Sequence, residues 1–227
     1  MESLTTAPVS DVLQRLFSEA EIADAPMITR LQAHAESGID PVAALLDAEA
    51  RDYKGLYRQA VNNFLSVTPE FGRLLYVCAR GRQAARIVEF GTSFGISTIH
   101  LACAVRDNGG GMVVGTELEP AKAARALQNL DAAGLADVVE IRAGDALDTL
   151  RHGVGGPIDL VHLDGAFSLY LPVLRLLEPH LRPNALILAE NTTPAYRHYV
   201  RDPGTPYLSV ALPFEPSRGN ELSVFTR

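Results

Sequence analysis

The chain has 227 residues, a length that predicts one or two domains and is sufficient for a sizeable hydrophobic core. Hydrophobic residues make up 47% of the sequence and charged residues 21%, which argues against a chain that is mainly disordered. The formal net charge of −7 argues against binding of nucleic acid through a basic face, although it leaves room for a small anionic ligand.

The sequence carries no sign of secretion or of a membrane span. Its two cysteines, Cys78 and Cys103, lie in apolar stretches and are expected to be buried free thiols rather than a disulfide. No apolar run approaches the ~18 residues of a spanning helix, and the N-terminus lacks the basic region of a signal peptide. We therefore expect a cytoplasmic protein with no membrane partner.

The first part of the chain, up to Gly81, is predicted to be helical. Asp40-Pro41 is a helix cap followed by proline at the first helical position, and it predicts a long helix through residues 42–65. Pro26 is expected to interrupt the preceding helix, because the residue before a proline disfavours the α conformation. The remaining start and stop signals are Ser10 or Asp11, Gly38, Thr68-Pro69-Glu70 and Gly81.

From Arg86 onward, short apolar runs of strand length alternate with helical patterns. The five runs are 86–90, 112–116, 138–142, 158–163 and 185–190. Two further runs, 207–212 and 221–226, have no helix between them. We predict an α/β fold with a Rossmann-like, doubly wound sheet, mostly parallel, that ends in an antiparallel hairpin at one edge.

Residues that follow the first three strands point to an adenosine-shaped ligand. Gly91 and Gly95 allow a tight turn after the first strand, while Glu117 could accept from ribose hydroxyls and Asp145 from an adenine amine. Each signal has a structural alternative: an ordinary turn, an acid at a helix start and a helix cap. A dinucleotide cradle fits poorly, because Ser93 stands where its middle glycine should be.

The fourth and fifth strands are followed by Asp164 and by Glu190-Asn191. Two carboxylates and an amide oxygen at neighbouring strand ends suit a hard divalent ion such as Mg²⁺ or Ca²⁺, and they suit zinc poorly. The alternative is that these side chains only cap the segments that follow them.

At this point the sequence resembles the class I S-adenosylmethionine-dependent methyltransferases. More narrowly, it is similar to the catechol and caffeoyl-coenzyme-A O-methyltransferases and their small bacterial relatives. The segments that carry this resemblance are LSVTPEFGRLL (65–75), VEFGTSFGIST (88–98), GTELEP (115–120), GDAL (144–147), LVHLDGAFSLYLPVLRLLEPHL (160–181) and ILAENT (187–192).

The resemblance implies a domain at 65–227 with a helical cap at 1–64, a small-molecule acceptor and a homodimer. It implies S-adenosylmethionine as cofactor and a divalent metal held by Asp164, Glu190 and Asn191. The cofactor residues that it implies are Ser66, Val67, Glu89, Gly91, Phe94, Gly95, Ser97, Glu117, Asp145, Ala146 and Asp164.

Two positions depart from the family pattern. The family usually has aspartate where Glu190 stands, and it commonly has a lysine base where Phe167 stands. The chain's two lysines are Lys54 and Lys122, and Lys122 is expected to lie away from the acceptor. Candidate replacements for the base are His162 on the fourth strand and three residues of an expected loop after the fifth strand: Tyr196, His198 and Tyr199.

We therefore predict an O-methyltransferase for a small, aromatic hydroxyl acceptor, with Asp164 and His198 as catalytic residues. Three alternatives stay open at this point: a metal-independent methyltransferase acting on another nucleophile, a non-catalytic module that binds an adenosine ligand, and a nicotinamide dehydrogenase. The last is disfavoured by the missing middle glycine.

Overall fold

A computed structural model describes residues 2–36, 40–214 and 219–227. Helices and strands alternate through this part of the chain. The α-helices are α1 (Val9–Glu36), α2 (Pro41–Gln59), α3 (Pro69–Gly81), α4 (Ile96–Asp107), α5 (Pro120–Ala132), α6 (Ala146–Thr149), α7 (Tyr170–Leu177) and α8 (Pro194–Arg201). The strands are β1 (Arg86–Phe90), β2 (Met112–Glu117), β3 (Val139–Ala143), β4 (Ile158–Leu163), β5 (Leu181–Ala189), β6 (Tyr207–Ala211) and β7 (Glu221–Phe225).

Side-chain caps begin α2 and α3 as the sequence predicts. The Asp40 carboxylate accepts from two backbone amides of the first turn of α2, and Thr68 does the same for one amide of α3. Helix α2 ends at Gln59, six residues before the predicted end, and Leu65 has a left-handed φ of 52°. The predicted stop at Gly38 lies outside the described residues.

The predicted interruption of the first helix at Pro26 was wrong. Helix α1 runs from Val9 to Glu36 with Pro26 inside it. A proline in a helix interior removes a backbone hydrogen bond, so tertiary contacts must compensate for it. Leu16 of α1 is fully buried in one core with α3 and α4, and the Asp24 side chain is bonded to the chain beyond α2.

The sheet confirms the predicted architecture. Its strand order is β3-β2-β1-β4-β5-β7-β6. The first five strands pair in parallel, whereas β7 pairs antiparallel with β5 and with β6. The central strands β1 and β4 are buried almost along their whole length, as expected for strands covered by helices on both faces.

The strand order reverses between β1 and β4, and ligands of doubly wound sheets bind beyond the carboxyl ends at such a point. The parallel registers align Phe90 with Thr116 on one side and with Leu163 on the other, while Leu163 aligns with Ala189. The residues that follow these four strands therefore share one edge of the sheet.

A helix, not the predicted loop, follows β5. Helix α8 begins after Thr193, whose hydroxyl accepts from the backbone amide of Tyr196, and Pro194 occupies its first turn. This is the same cap-and-proline signal that marks α2 and α3. It was missed because α8 spans only eight residues.

Part of the N-terminal region shares its core with the sheet, since buried residues of α1 pack in one cluster with residues of α3, α4 and β1. The boundary at residue 64, the homodimer and the cytoplasmic location stay predictions. Within the ranges that the structure describes, no helix combines the length and the apolar character needed to cross a membrane.

Candidate functional site

A cleft opens beyond the carboxyl ends of β1 to β4. It encloses about 650 Å³, including its open mouth, which is typical of a small-molecule site. A narrower recess continues from it under the β1–α4 loop. The lining of the cleft includes Tyr53, Tyr57, Phe64, Leu65, Phe90, Gly91, Ser93, Thr116, Glu117, Lys122, Gly144, Asp145, Ala146, Asp164, Gly165 and Leu169.

Most of the predicted cofactor residues meet at this cleft and its recess. Those that line one or both are Ser66, Gly91, Phe94, Ser97, Glu117, Asp145, Ala146 and Asp164. The other three lie behind the lining: Val67 is buried in the core, Glu89 lies beneath the loop, and Gly95 precedes the first residue of α4.

The turn after β1 depends on the close approach of two loops. Gly91 has a φ of 98°, and a Cβ at this position would overlap the backbone carbonyl of Asp164. The amides of Gly91 and Thr92 donate to the carbonyl oxygen of Thr116, which fixes the turn against the end of β2. The fold therefore requires a glycine at this position, and the same residue also lines the cleft.

Glu89 is completely buried at the end of β1. Its Oε2 accepts from the hydroxyls of Thr92, at 2.9 Å, and Thr98, while its Oε1 has no partner among the described residues. Burial raises the pKa of Glu89 above the ordinary value, against hydrogen bonds that lower it. An unpartnered buried carboxylate oxygen is best satisfied by a donor from a bound molecule or water.

Glu117 faces the cleft from the end of β2 with its carboxylate already oriented. Oε2 accepts from the Ser93 amide at 2.7 Å and Oε1 from the Glu119 amide at 2.9 Å. Burial raises the pKa of Glu117, although these amides and the nearby Lys122 ammonium lower it in part. Each carboxylate oxygen can accept further bonds, which leaves capacity for ligand hydroxyls.

Asp145 is shared between its own helix and α2. Its Oδ1 accepts from the Leu147 amide at 3.0 Å, as in the predicted helix cap. Its Oδ2 accepts from the Tyr53 hydroxyl and lies 2.7 Å from the Lys54 ammonium. Burial acts to raise the pKa of Asp145, but the bonds from Lys54 and Tyr53 outweigh it and lower that pKa.

Helix α2 covers this side of the cleft, within the region 1–64 where the resemblance implies a helical cap, but the residues that it contributes to the lining were not predicted. Tyr53 and Tyr57 of α2 are part of the lining. Buried Glu49 joins the helix to the loop after β4, because its carboxylate accepts from the amides of Phe167 and Ser168 and from the Tyr57 hydroxyl. The sequence offered one signal, two tyrosines four residues apart on a single helix face.

Asp164 and Glu190, two of the predicted metal ligands, lie at neighbouring strand ends. The amide of Asp164 donates to the carbonyl of Phe90 at 2.8 Å, and that of Glu190 donates to the carbonyl of Leu163 at 3.0 Å. Asn191 follows with a φ of 55°, and its amide donates to the Asn220 side chain.

The chemistry of this donor set fits a hard divalent ion, because it offers two carboxylates and an amide oxygen. No third acidic, histidine or cysteine side chain joins them: the described ranges contain no group of three or more such residues placed to hold a metal. Glu190 is only 2% exposed, so any ion would have to reach a deeply buried carboxylate.

The two histidines considered as bases lie outside the cleft lining. His162 is fully buried beside Phe71, and its Nε2 lies 3.9 Å from Asp164 Oδ2. Burial lowers the pKa of His162 to about 4, so it is neutral at pH 7. His198 is exposed on α8 and borders a separate surface depression rather than the cleft, and its catalytic role stays a prediction.

Lys122 lines the cleft on the side of Glu117. Its side chain is buried beside Glu117, and its ammonium donates to the carbonyl oxygen of Asn63 at 2.7 Å. No signal in the sequence indicated this contact, because the two residues are 59 positions apart.

Comparison with known proteins agrees with this geometry. A family model described as a methyltransferase domain matches residues 88–192. A catechol O-methyltransferase of Niastella koreensis is 38% identical over 130 residues, which span 56% of this chain and 58% of the relative. A catechol O-methyltransferase of Mycobacterium tuberculosis is 38% identical over 127 residues, which span 56% of this chain and 57% of the relative. The matched region thus covers little more than half the length of these curated relatives.

A solved structure supports the same fold. TomG, an O-methyltransferase from Streptomyces achromogenes solved in complex with S-adenosylmethionine, superposes with a TM-score of 0.61 at 28% identity. The superposition covers 72% of this chain and 82% of TomG. Residues 88–192 thus match a methyltransferase domain, and the chain resembles the S-adenosylmethionine-dependent catechol and caffeoyl-coenzyme-A O-methyltransferases.

Proposed function

We propose that this chain transfers a methyl group from S-adenosylmethionine to a hydroxyl of a small aromatic acceptor. The observation that carries the proposal is the convergence of Gly91, Glu117, Asp145 and Asp164 on one cleft at the point where the strand order reverses. The catechol O-methyltransferase relatives and the complex of TomG with S-adenosylmethionine support the choice of reaction and cofactor.

The protein offers partners for the ribose, the adenine and the ammonium of the cofactor, two of them in the cleft lining and the third, Glu89, behind it. The Glu117 carboxylate would accept from the ribose hydroxyls and Asp145 from the adenine amine, while the unpartnered Oε1 of Glu89 would accept from the ammonium of the methionine part. Methyl transfer is an in-line displacement, and alignment of the two reactants can supply ~7–11 kcal/mol of the barrier reduction. Binding and orienting the cofactor is thus the main contribution of these residues.

A divalent ion, if the enzyme uses one, would be held by Asp164, Glu190 and Asn191, and it would stabilise the ionised acceptor oxygen. Phe167 stands at the position where the family commonly has its lysine base. Its amide donates to Glu49 and its ring packs against Tyr170. This residue therefore helps to fix the loop and supplies no proton acceptor.

The test is turnover of a panel of catechols with S-adenosylmethionine, measured with and without a chelator. We expect methylated product, loss of activity in the chelator and recovery on addition of Mg²⁺. Asp164→Ala should remove the metal-dependent activity and leave the affinity for S-adenosylhomocysteine within about threefold of wild type.

Two other outcomes would change the assignment. Turnover that persists in the chelator would favour a metal-independent methyltransferase, a reading that the missing lysine and the burial of Glu190 keep open. Cofactor binding with no turnover across the panel would favour a non-catalytic module that binds an adenosine ligand.

A further inference from the structure

The segment formed by Asn63, Phe64 and Leu65 forms one wall of the cleft and carries a strained backbone. Phe64 and Leu65 line both the cleft and its recess. Leu65 has a φ of 52°, in the left-handed region that residues with a side chain rarely adopt. Such a conformation persists only where the surrounding structure determines it.

Asp24 of α1 bonds this segment from one side. Its carboxylate accepts from the amides of Phe64 and Leu65, each at 2.8 Å, and from the Asn63 side chain at 3.1 Å. Asp24 is only 7% exposed, and a buried carboxylate is tolerated when it is satisfied in this way. The bonds fix the two successive amides that lead into the strained Leu65 conformation.

Lys122 of α5 bonds the same segment from the other side. Its ammonium donates to the Asn63 carbonyl at 2.7 Å and lies 5.4 Å from the centre of the Phe94 ring. The Ser93 hydroxyl donates to the Phe64 carbonyl at 2.6 Å. Asp24 lies within electrostatic reach of Lys122. Three separate elements thus bind the backbone of three consecutive residues.

We propose that Asp24 and Lys122 are positioning residues that hold the segment 63–65 closed over the methyl donor. The inference rests on the proposed function, because it assigns these residues to the donor-binding step. These two sets of bonds are the tethers of the segment. Without either tether, the ligand itself would have to order the segment, and the entropy cost of that ordering would weaken binding. The loss should therefore appear in the KM for the methyl donor and not in kcat at saturation.

The experiment compares Lys122→Met and Asp24→Asn with Arg125→Met as the matched control. Arg125 also lies on α5 and also pairs with α1, through Glu19, but it does so at the exposed surface. We expect each of the two test variants to weaken S-adenosylhomocysteine binding about tenfold and to raise the KM for S-adenosylmethionine similarly, with kcat within about threefold of wild type. Arg125→Met should match wild type.

Amide hydrogen exchange over residues 61–67 gives a second readout that needs no ligand. Both test variants should exchange faster there than wild type and Arg125→Met, because the segment is held less firmly. Asp24→Asn weakens the acceptor of the Phe64 and Leu65 amides, and Lys122→Met removes the donor to the Asn63 carbonyl. If Lys122→Met fails to fold, Ser93→Ala takes its place and should show the same faster exchange.

Unchanged binding and exchange in the test variants, or a fall in kcat at constant KM, would overturn the positioning role. Failure of the wild type itself to bind S-adenosylhomocysteine would instead contradict the proposed function, and the exchange measurement would still decide whether the segment is held by these tethers.

Discussion

Gly91 illustrates how one residue shapes the site. Its φ of 98° is available to glycine without strain, and the absence of a Cβ lets the backbone of Asp164 approach. Gly134, after α5, also has a positive φ, of 69°, but a Cβ there would meet no atom within 4 Å. Comparing substitutions at the two glycines therefore distinguishes the energetic cost of a strained backbone from the cost of a steric overlap.

Gly91→Ala should destabilise the protein more than Gly134→Ala. We expect Gly134→Ala to lower the free energy of unfolding by about 1 kcal/mol, the cost of a left-handed alanine. Gly91→Ala should lower it by about 3 kcal/mol or more, because the new methyl group also overlaps a backbone carbonyl. Urea denaturation measures both values, and equal losses would contradict the close-approach argument.

The residues that the sequence could identify are those that directly follow strands. Gly91, Glu117, Asp145 and Asp164 could be placed at one cleft because parallel strands align their carboxyl ends. Tyr53 and Lys122 could not, because their positions depend on helix packing between distant parts of the chain. Propensity and periodicity carry no information on such contacts.

At the scale of elements, helix α2 is fastened over the cleft by one buried carboxylate. Glu49 is 2% exposed and accepts from two backbone amides of the loop after β4 and from Tyr57. Asp47 lies on the same helix but is exposed. These two acids provide a matched pair for testing how α2 is held.

Glu49→Gln should destabilise the protein, whereas Asp47→Asn should not. In glutamine, an NH2 group replaces one of the two carboxylate oxygens. One of the two backbone amides that now donate to Glu49 would then face a donor and lose its acceptor. We expect a loss of about 2 kcal/mol in the free energy of unfolding for Glu49→Gln, against a change within about 0.5 kcal/mol for Asp47→Asn. Similar values for the two variants in urea denaturation would show that Glu49 does not fasten the helix.

Local signals predicted most elements but not all of them. The cap-and-proline pairs at Asp40 and Thr68 predicted α2 and α3, while the same pair at Thr193 was overlooked in a short segment. Pro26 was expected to break α1, yet burial of one face of the helix outweighs the local preference. Tertiary packing decided the exception at Pro26, whereas α8 was overlooked because its local signal precedes a helix of only eight residues.

At the scale of the whole molecule, the topology was predictable because its signals are redundant. Five apolar runs separated by helical patterns allow few arrangements once crossovers are right-handed, and the two final runs without a helix predict the edge hairpin. The path of the N-terminal helices follows no comparable rule. The resemblance implied a helical cap at 1–64, but the contacts of α2 with the cleft and the bonds of Asp24 and Lys122 to residues 63–65 emerged only from the structure.

The central claim is that the cleft beyond β1 to β4 holds the adenosine cofactor, with Glu117 on its ribose. Calorimetric titration with S-adenosylhomocysteine tests this most directly, using Glu117→Ala and, as control, Glu140→Ala, an exposed acid of β3 that pairs with Arg142. We predict one site per chain, binding weakened about tenfold or more by Glu117→Ala and unchanged by Glu140→Ala, and no binding of NAD. Absence of S-adenosylhomocysteine binding, or equal affinity in all three proteins, would contradict the account.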